Sequence, residues 1–209
     1  VTPQSVITEV RAIIKDDDAT SYRFTDDALV LCVNRALKRV ATLRPDLFTT
    51  IGTITLVSGI VQTVPSYGRI VEVFGVTGGN AITESNRETM DQLTPTWRAS
   101  ASSTPNTWMR HSRNPSKFFV SPPSNGSGTL DAEYTTTPPT VALTDAISLS
   151  ETYHPVVVDM TVAEAEWSDD ENVLNQRAEA SYKRAKEALM AEVQTHAMTD
   201  KEASPGAID

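Results

Sequence analysis

A single cysteine, Cys32, stands among 209 residues. One thiol closes no internal disulfide, and small extracellular scaffolds ordinarily carry several, so a reducing compartment is the expected place of folding. Histidine is nearly as scarce: His111, His154 and His196 are the only three, and no two stand at metal-ligand spacing. No run approaches the roughly 18 apolar residues of a membrane span. The first residues lack the basic-then-apolar layout of a secretion signal. The expectation is a soluble product made in the cytoplasm, with no membrane partner. Basic residues are also in deficit, with 18 Lys and Arg against 27 Asp and Glu, a net charge of −9. Such a surface does not favour wrapping nucleic acid by neutralising phosphates. It does not prevent a channel lining from facing DNA without binding it, where weak repulsion would keep the polymer sliding. The imbalance is uneven, because from Asp159 onward 12 carboxylates face 5 basic residues, −7 of the total.

Motifs of chemistry are missing too. Gly78-Gly79 lacks the spacing of a phosphate-binding loop and reads as a turn. Asp16-Asp17-Asp18 with Asp26 and Asp27 lacks the alternating ligands and glycine turn of a calcium loop, and reads as a solvated turn followed by a helix cap. Asp169-Asp170-Glu171 takes the same reading. Cys32, flanked by Leu31 and Val33, is expected to be a packed thiol rather than a nucleophile activated by His111 or His154. No catalytic, cofactor or metal residue is assigned.

What is present is a clear change of period. Thr2-Pro3 is a hydroxyl cap followed by a first-turn proline, with Val6, Val10, Ile13 and Ile14 on one helical face. Thr25 caps a second helix that Pro45 stops, with Asp26 and Asp27 favourably placed in its first turn. Alternation then takes over. Strands are expected at 51–57 and 61–64, joined as a hairpin by Ser58-Gly59, and again at 70–74, 107–110, 117–121 and 129–135. A short helix over 86–93 would take Ser85 as its cap. Pro138-Pro139 leads out of the sheet. A helix almost continuously apolar at its start follows over 156–167, then a long one from about Asn172 to Thr195. Leu174, Ala178, Tyr182 with Ala185, Leu189 and Val193 form its apolar stripe.

The expected fold class is therefore α+β: a four-helix, bundle-like domain of two N-terminal and two C-terminal helices, with an antiparallel β-rich insertion. The expected boundaries are 1–50 with 140–197 for the helices, 51–139 for the insertion, and 198–209 for a polar, flexible C-terminal tail. Aromatics concentrated in the β region (Trp97, Trp108, Phe118, Phe119, Tyr134) are read as sheet core. Arg110 and Arg113 beside them are candidate interface residues, as are Arg177, Lys183, Arg184 and Glu187 on the interleaved charges of the last helix.

Several segments, in order, carry a resemblance. They are Tyr22-Arg23-Phe24-Thr25-Asp26-Asp27-Ala28-Leu29, Val33-Asn34-Arg35-Ala36-Leu37, Leu43-Arg44-Pro45-Asp46-Leu47-Phe48, Arg87-Glu88-Thr89-Met90-Asp91, Asn114 to Pro123, and Glu133-Tyr134 ahead of Pro138-Pro139. Together they resemble the tailed-bacteriophage adaptor proteins, the head-to-tail connector or gatekeeper subunits called tail tubular protein A in short-tailed phages. The resemblance covers roughly residues 5 to 195. It implies a structural, non-enzymatic subunit of a homo-oligomeric ring, commonly of twelve copies, in the neck of the virion. The portal protein on one side and a tail nozzle or tail tube protein on the other would be its partners. The genomic DNA would pass through without sequence-specific binding, and no cofactor is implied. The helical part would form the ring body and dock on the portal, the β-rich part would point to the tail, and the residues after Met198 would settle against the portal. Another head-completion or tail protein with the same layout is the alternative within this class. A small tail-associated hydrolase using Asp131 and Glu133 is the alternative outside it.

Overall fold

A computed structural model describes residues 1–99, 101–168 and 175–202, with backbone alone at 175 and 192–202. The chain divides into two compact units, Val1–Leu47 with Pro138–Asp209, and Phe48–Thr137.

The first unit is helical. α1 (Pro3–Ile14) opens with a reciprocal cap, the Ser5 N–H donating to Thr2 Oγ1 and the Thr2 N–H to Ser5 Oγ, both at 3.3 Å. It ends on Lys15, which takes the left-handed conformation at φ 61°. α2 (Asp26–Leu43) is capped by Thr25 Oγ1, which accepts from the Ala28 N–H at 3.2 Å. α4 (His154–Trp167) is buried on nearly every side, as its continuous apolar start demands, and packs against α1, α2 and α5. α5 (Asn175–Glu202) lays Ala178, Ala185 and Leu189 on this framework, each at most 1% exposed. The core joins Val6, Val10, Leu29, Val33, Leu37, Val157, Val158 and Val162. Buried Asn34 ties α2 to the returning chain. Its amide donates to Val141 O at 2.9 Å and accepts from Val141 N at 2.8 Å.

Charge is built into this unit. The Asp16 carboxylate, 4% exposed, accepts from Arg11 at 2.6 Å and from the Arg23 and Phe24 N–H groups at 2.6 and 3.2 Å. Arg11 also reaches Asp26 at 2.7 Å. The solvated turn expected at Asp16 is thus corrected: Arg11 comes round within the same turn and neutralises it. On α4, Glu166 has no exposed surface and meets Arg177 at 3.1 Å and Arg23 at 3.4 Å. Asp159 pairs with Arg184 at 2.6 Å. Glu164 lies 2.6 Å from Arg39 Nε, an ion pair not aligned as a hydrogen bond.

α5 continues to Glu202, beyond the expected end at Thr195, so residues 198–202 are helical rather than tail. The rest of the expected tail, 203–209, lies outside the described residues, as do the turn 169–171 and Leu174.

The second unit holds two sheets. One has the order β1-β7-β3, with β1 (Thr49–Thr55), β7 (Thr129–Thr135) and β3 (Ile70–Val76) all antiparallel. The other has the order β2-β6-β5-β4, with β2 (Gly59–Thr63), β6 (Lys117–Ser124), β5 (Thr107–Arg110) and β4 (Thr83–Glu84), the last pairing in parallel. Ile54, Leu130, Ala132 and Tyr134 from the first sheet share one core with Trp108, Phe118 and Val120 from the second. α3 (Arg87–Leu93) covers a satellite cluster of Trp97, Met109 and Phe119. Its cap is Asn86, one residue later than expected, whose Oδ1 accepts from the Glu88 N–H at 2.9 Å.

The hairpin expected at Ser58-Gly59 does not form. β1 and β2 part into different sheets, and fully buried Gln62 takes over the backbone groups of the link. Its Oε1 accepts from Val57 N at 2.8 Å, and its Nε2 donates to Val57 O and Gly59 O at 2.9 and 3.1 Å. β6 also runs on through Pro122-Pro123, residues expected to be loop.

Candidate assembly surfaces

Each expected interface residue can now be placed. Arg110 is half-exposed and bridges from β5 to β4 of its own sheet and to β3 of the other. It pairs with Glu84 at 2.7 Å, donates to Ile70 O at 3.2 Å and to Val71 O, and lies 4.9 Å from the Trp108 ring centroid. Arg113 is exposed on the β5–β6 turn, where its backbone N–H donates to His111 Nδ1 at 3.2 Å. Arg177 and Arg184 are spent on the α4 carboxylates. Lys183 and Glu187 remain on the outer face of α5, 3.8 Å apart and both well exposed, a pair worth a few tenths of a kcal/mol, ~0.3–0.5. Of the six, the side chains of Arg113, Lys183 and Glu187 pair with nothing outside their own element among the described residues, and Arg110 and Arg184, though paired, stay exposed.

Two surfaces escaped the sequence reading. The first is the outward side of α2. Arg35 and Lys38 are exposed there, and α2 carries no acid between Asp27 and its end. Together with Arg39, Thr42, Leu43, Glu164 and Tyr182 they line an open groove beside α5. Its floor is ordered by stacking: Arg39 lies 5.0 Å from the Trp167 centroid and 5.6 Å from that of Tyr182, whose rings are 5.6 Å apart.

The second is the β1/β2 side of the sheet unit. Residues 47–68 hold no charged side chain over 22 positions, the longest such stretch in the chain. They supply an open edge strand to each sheet and leave Ile51, Val57 and Tyr67 exposed, at 71%, 55% and 82%. The opposite edge is closed, since Ile82 N donates to Phe74 O, Val76 N donates to Asn80 O, and Arg110 covers Ile70. An uncharged open edge beside exposed apolar groups is a surface made to be covered. The charge-free run was the readable signal for it.

The remaining chemistry-bearing groups are occupied structurally. His111 stacks on Phe119 at 5.1 Å, and His154 Nε2 meets Glu9 at 2.8 Å. His196 lies outside the described side chains. Asp131 and Glu133 alternate with the buried Leu130, Ala132 and Tyr134 on β7, so both sit on the sheet's outer face, Asp131 accepting from Thr77 Oγ1 at 2.7 Å. Among the described residues no three His, Cys, Asp or Glu cluster as a metal site.

Cys32 is 3% exposed, and burial pushes its thiol pKa up, outweighing the opposing influences of Ser168 and Arg35. A raised pKa keeps the neutral thiol in the fold. Its stabilising contribution is complete below the ordinary thiol value and is lost as pH rises through the folded value. At pH 8 the native protein is expected to leave a disulfide reagent such as DTNB unreacted, while the guanidine-unfolded chain reacts with one equivalent. Rapid labelling of the native protein would contradict the packed-thiol reading.

No curated protein matches the sequence. A family model described as SU10 adaptor protein matches residues 1–208. With both helical ends, the β-rich middle and nearly the whole chain inside that match, the protein belongs to the SU10 adaptor family, as a structural, non-enzymatic head-to-tail adaptor of the bacteriophage neck.

Proposed function

We propose that the adaptor acts as one subunit of a closed homomeric ring, twelve copies being the expected number, between the portal protein and the tail nozzle or tube. The genome passes through its bore without sequence-specific contact. The observation that carries this reading is the excess of carboxylates, 27 against 18 basic residues, in a connector of head and tail. An acidic wall leaves phosphates unneutralised, so a DNA strand in transit meets no electrostatic trap. The helical unit is the natural ring body, because its buried ion pairs fix the helices against one another. The uncharged β1/β2 side is then the surface kept for a neighbouring component.

The test is to mix purified adaptor with its portal and count copies per complex by negative-stain imaging and mass photometry. A closed ring with twelve adaptors is the expected result, with no duplex DNA shift by the adaptor at physiological salt. One or two adaptors per portal, or tight salt-dependent DNA binding, would overturn the reading.

A further inference from the structure

We infer that successive adaptor copies join head to tail through the helical unit, the acidic loop 16–22 of one copy seating in the basic groove beside α2 of the next. The inference rests on the ring reading and names its subunit contact. The groove offers Arg35 and Lys38, exposed and making no ion pair with any described residue. The loop is its complement in charge. Asp17 and Asp18 are exposed on it, and Tyr22 is 44% exposed with the Arg11 guanidinium 3.6 Å from its ring centroid.

The loop is also held ready. Buried Asp16 takes the N–H groups of Arg23 and Phe24, just past the loop, and within it Asp18 Oδ1 accepts from the Thr20 N–H and hydroxyl at 2.9 and 2.7 Å. Little conformational entropy is then lost when the loop docks.

Charge and symmetry together select the occupant. Each copy carries −9, so two copies repel unless opposite charges meet. A two-fold contact through either patch would set arginine against arginine or aspartate against aspartate. Unlike patches attract, and a head-to-tail contact joins one such pair, where a two-fold contact would have to seat both pairs at once. The loop precedes the N-terminus of α2, whereas the groove flanks the C-terminal half of that helix, from Arg35 to Leu43. Two distinct patches on each subunit are what a ring contact requires.

The experiment reads portal-templated ring formation by mass photometry for four full-length proteins: the parent, R35E/K38E, D17K/D18K, and the quadruple variant. Thermal melts by circular dichroism check that each folds, since all four side chains are exposed. Each single-face variant is expected to lose ring yield at least tenfold. The quadruple variant, and an equimolar mixture of the two single-face variants, are expected to recover it, the mixture as an alternating ring. Single-face variants that assemble like the parent, or compensated forms that do not recover, overturn the inference, as does arrest at a two-fold dimer. A parent that binds the portal without closing a ring overturns the ring reading itself, and the contact with it.

Discussion

Replacing Arg11 by methionine is expected to lower the melting temperature of the helical unit by roughly 10 °C. Arg11 and Asp16 are 9% and 4% exposed at a separation of 2.6 Å. Removing the guanidinium leaves a buried carboxylate with only two backbone N–H partners and also frees Asp26. Breaking a buried pair from one side costs about 3–5 kcal/mol, and each kcal/mol moves the midpoint of a chain this long by about 2–4 °C. The double variant R11M/D16N is expected to recover part of the loss, because the amide buries no charge and still accepts from a loop N–H. R184M serves as control. Arg184 is 57% exposed, so its pair with Asp159 carries a surface-type contribution of at most about 1 kcal/mol. Melting followed by circular dichroism separates the cases. An R11M protein melting within a degree or two of the parent would show that the pair does not hold the α1–α2 corner.

Gly68→Ala is expected to be the most damaging single methyl in the sheet unit. The backbone at Gly68 is ordinary, with φ −61°, so conformation is not the obstacle. Space is. A β-carbon there would lie 1.8 Å from Thr135 O, a backbone atom no rotamer change can move. Beside it, Arg69 and Thr135 are fastened twice, Arg69 N donating to Thr135 Oγ1 at 2.8 Å and Thr135 N to Arg69 O at 2.9 Å. Accommodating the methyl means separating the end of β7 from the start of β3. A loss of about 3 kcal/mol, the upper part of the usual overpacking range, is expected. Hydrogen exchange should show lost protection at Arg69 and Thr135, whose amides make those two bonds. Gly52→Ala is the comparison. Its β-carbon would meet the Tyr134 hydroxyl at 2.8 Å, a side-chain atom that can shift slightly where a backbone oxygen cannot, so a smaller loss, about 1 kcal/mol, is expected. Equal stability of the two variants would refute the argument.

What the sequence told reliably was local. Thr25 and Pro45 bracket α2 because a cap and a missing N–H act on the nearest turn. The unbroken apolar start of α4 could only mean burial. Pairing was not legible. Ser58-Gly59 looks like a hairpin turn, yet β1 takes its partner from Thr129–Thr135, some eighty residues on, and alternation carries no address for a partner. The acidic loop was misjudged for a related reason. Nothing in the spelling of Asp16-Asp17-Asp18 says that one carboxylate turns inward to Arg11 while its neighbours stay in water. Among the expected interface residues, Arg177 and Arg184 looked free because their acceptors sit on a different helix, α4. Arg113, Lys183 and Glu187 stayed exposed because, among the described residues, no carboxylate pairs with the first, and the other two pair with each other.

The two units also differ in how the ribosome delivers them. Phe48–Thr137 is one uninterrupted length of chain, so every strand of both sheets has been synthesised before α4 is translated. The helical unit is split: α1 and α2 come first and must wait for about ninety residues of sheet before Glu166 arrives to meet Arg23. Nascent chains therefore expose the apolar faces of α1 and α2 for most of their synthesis. Truncated products ending near Thr137 should carry a finished sheet attached to a sticky helical stub, a species that calls for chaperone cover.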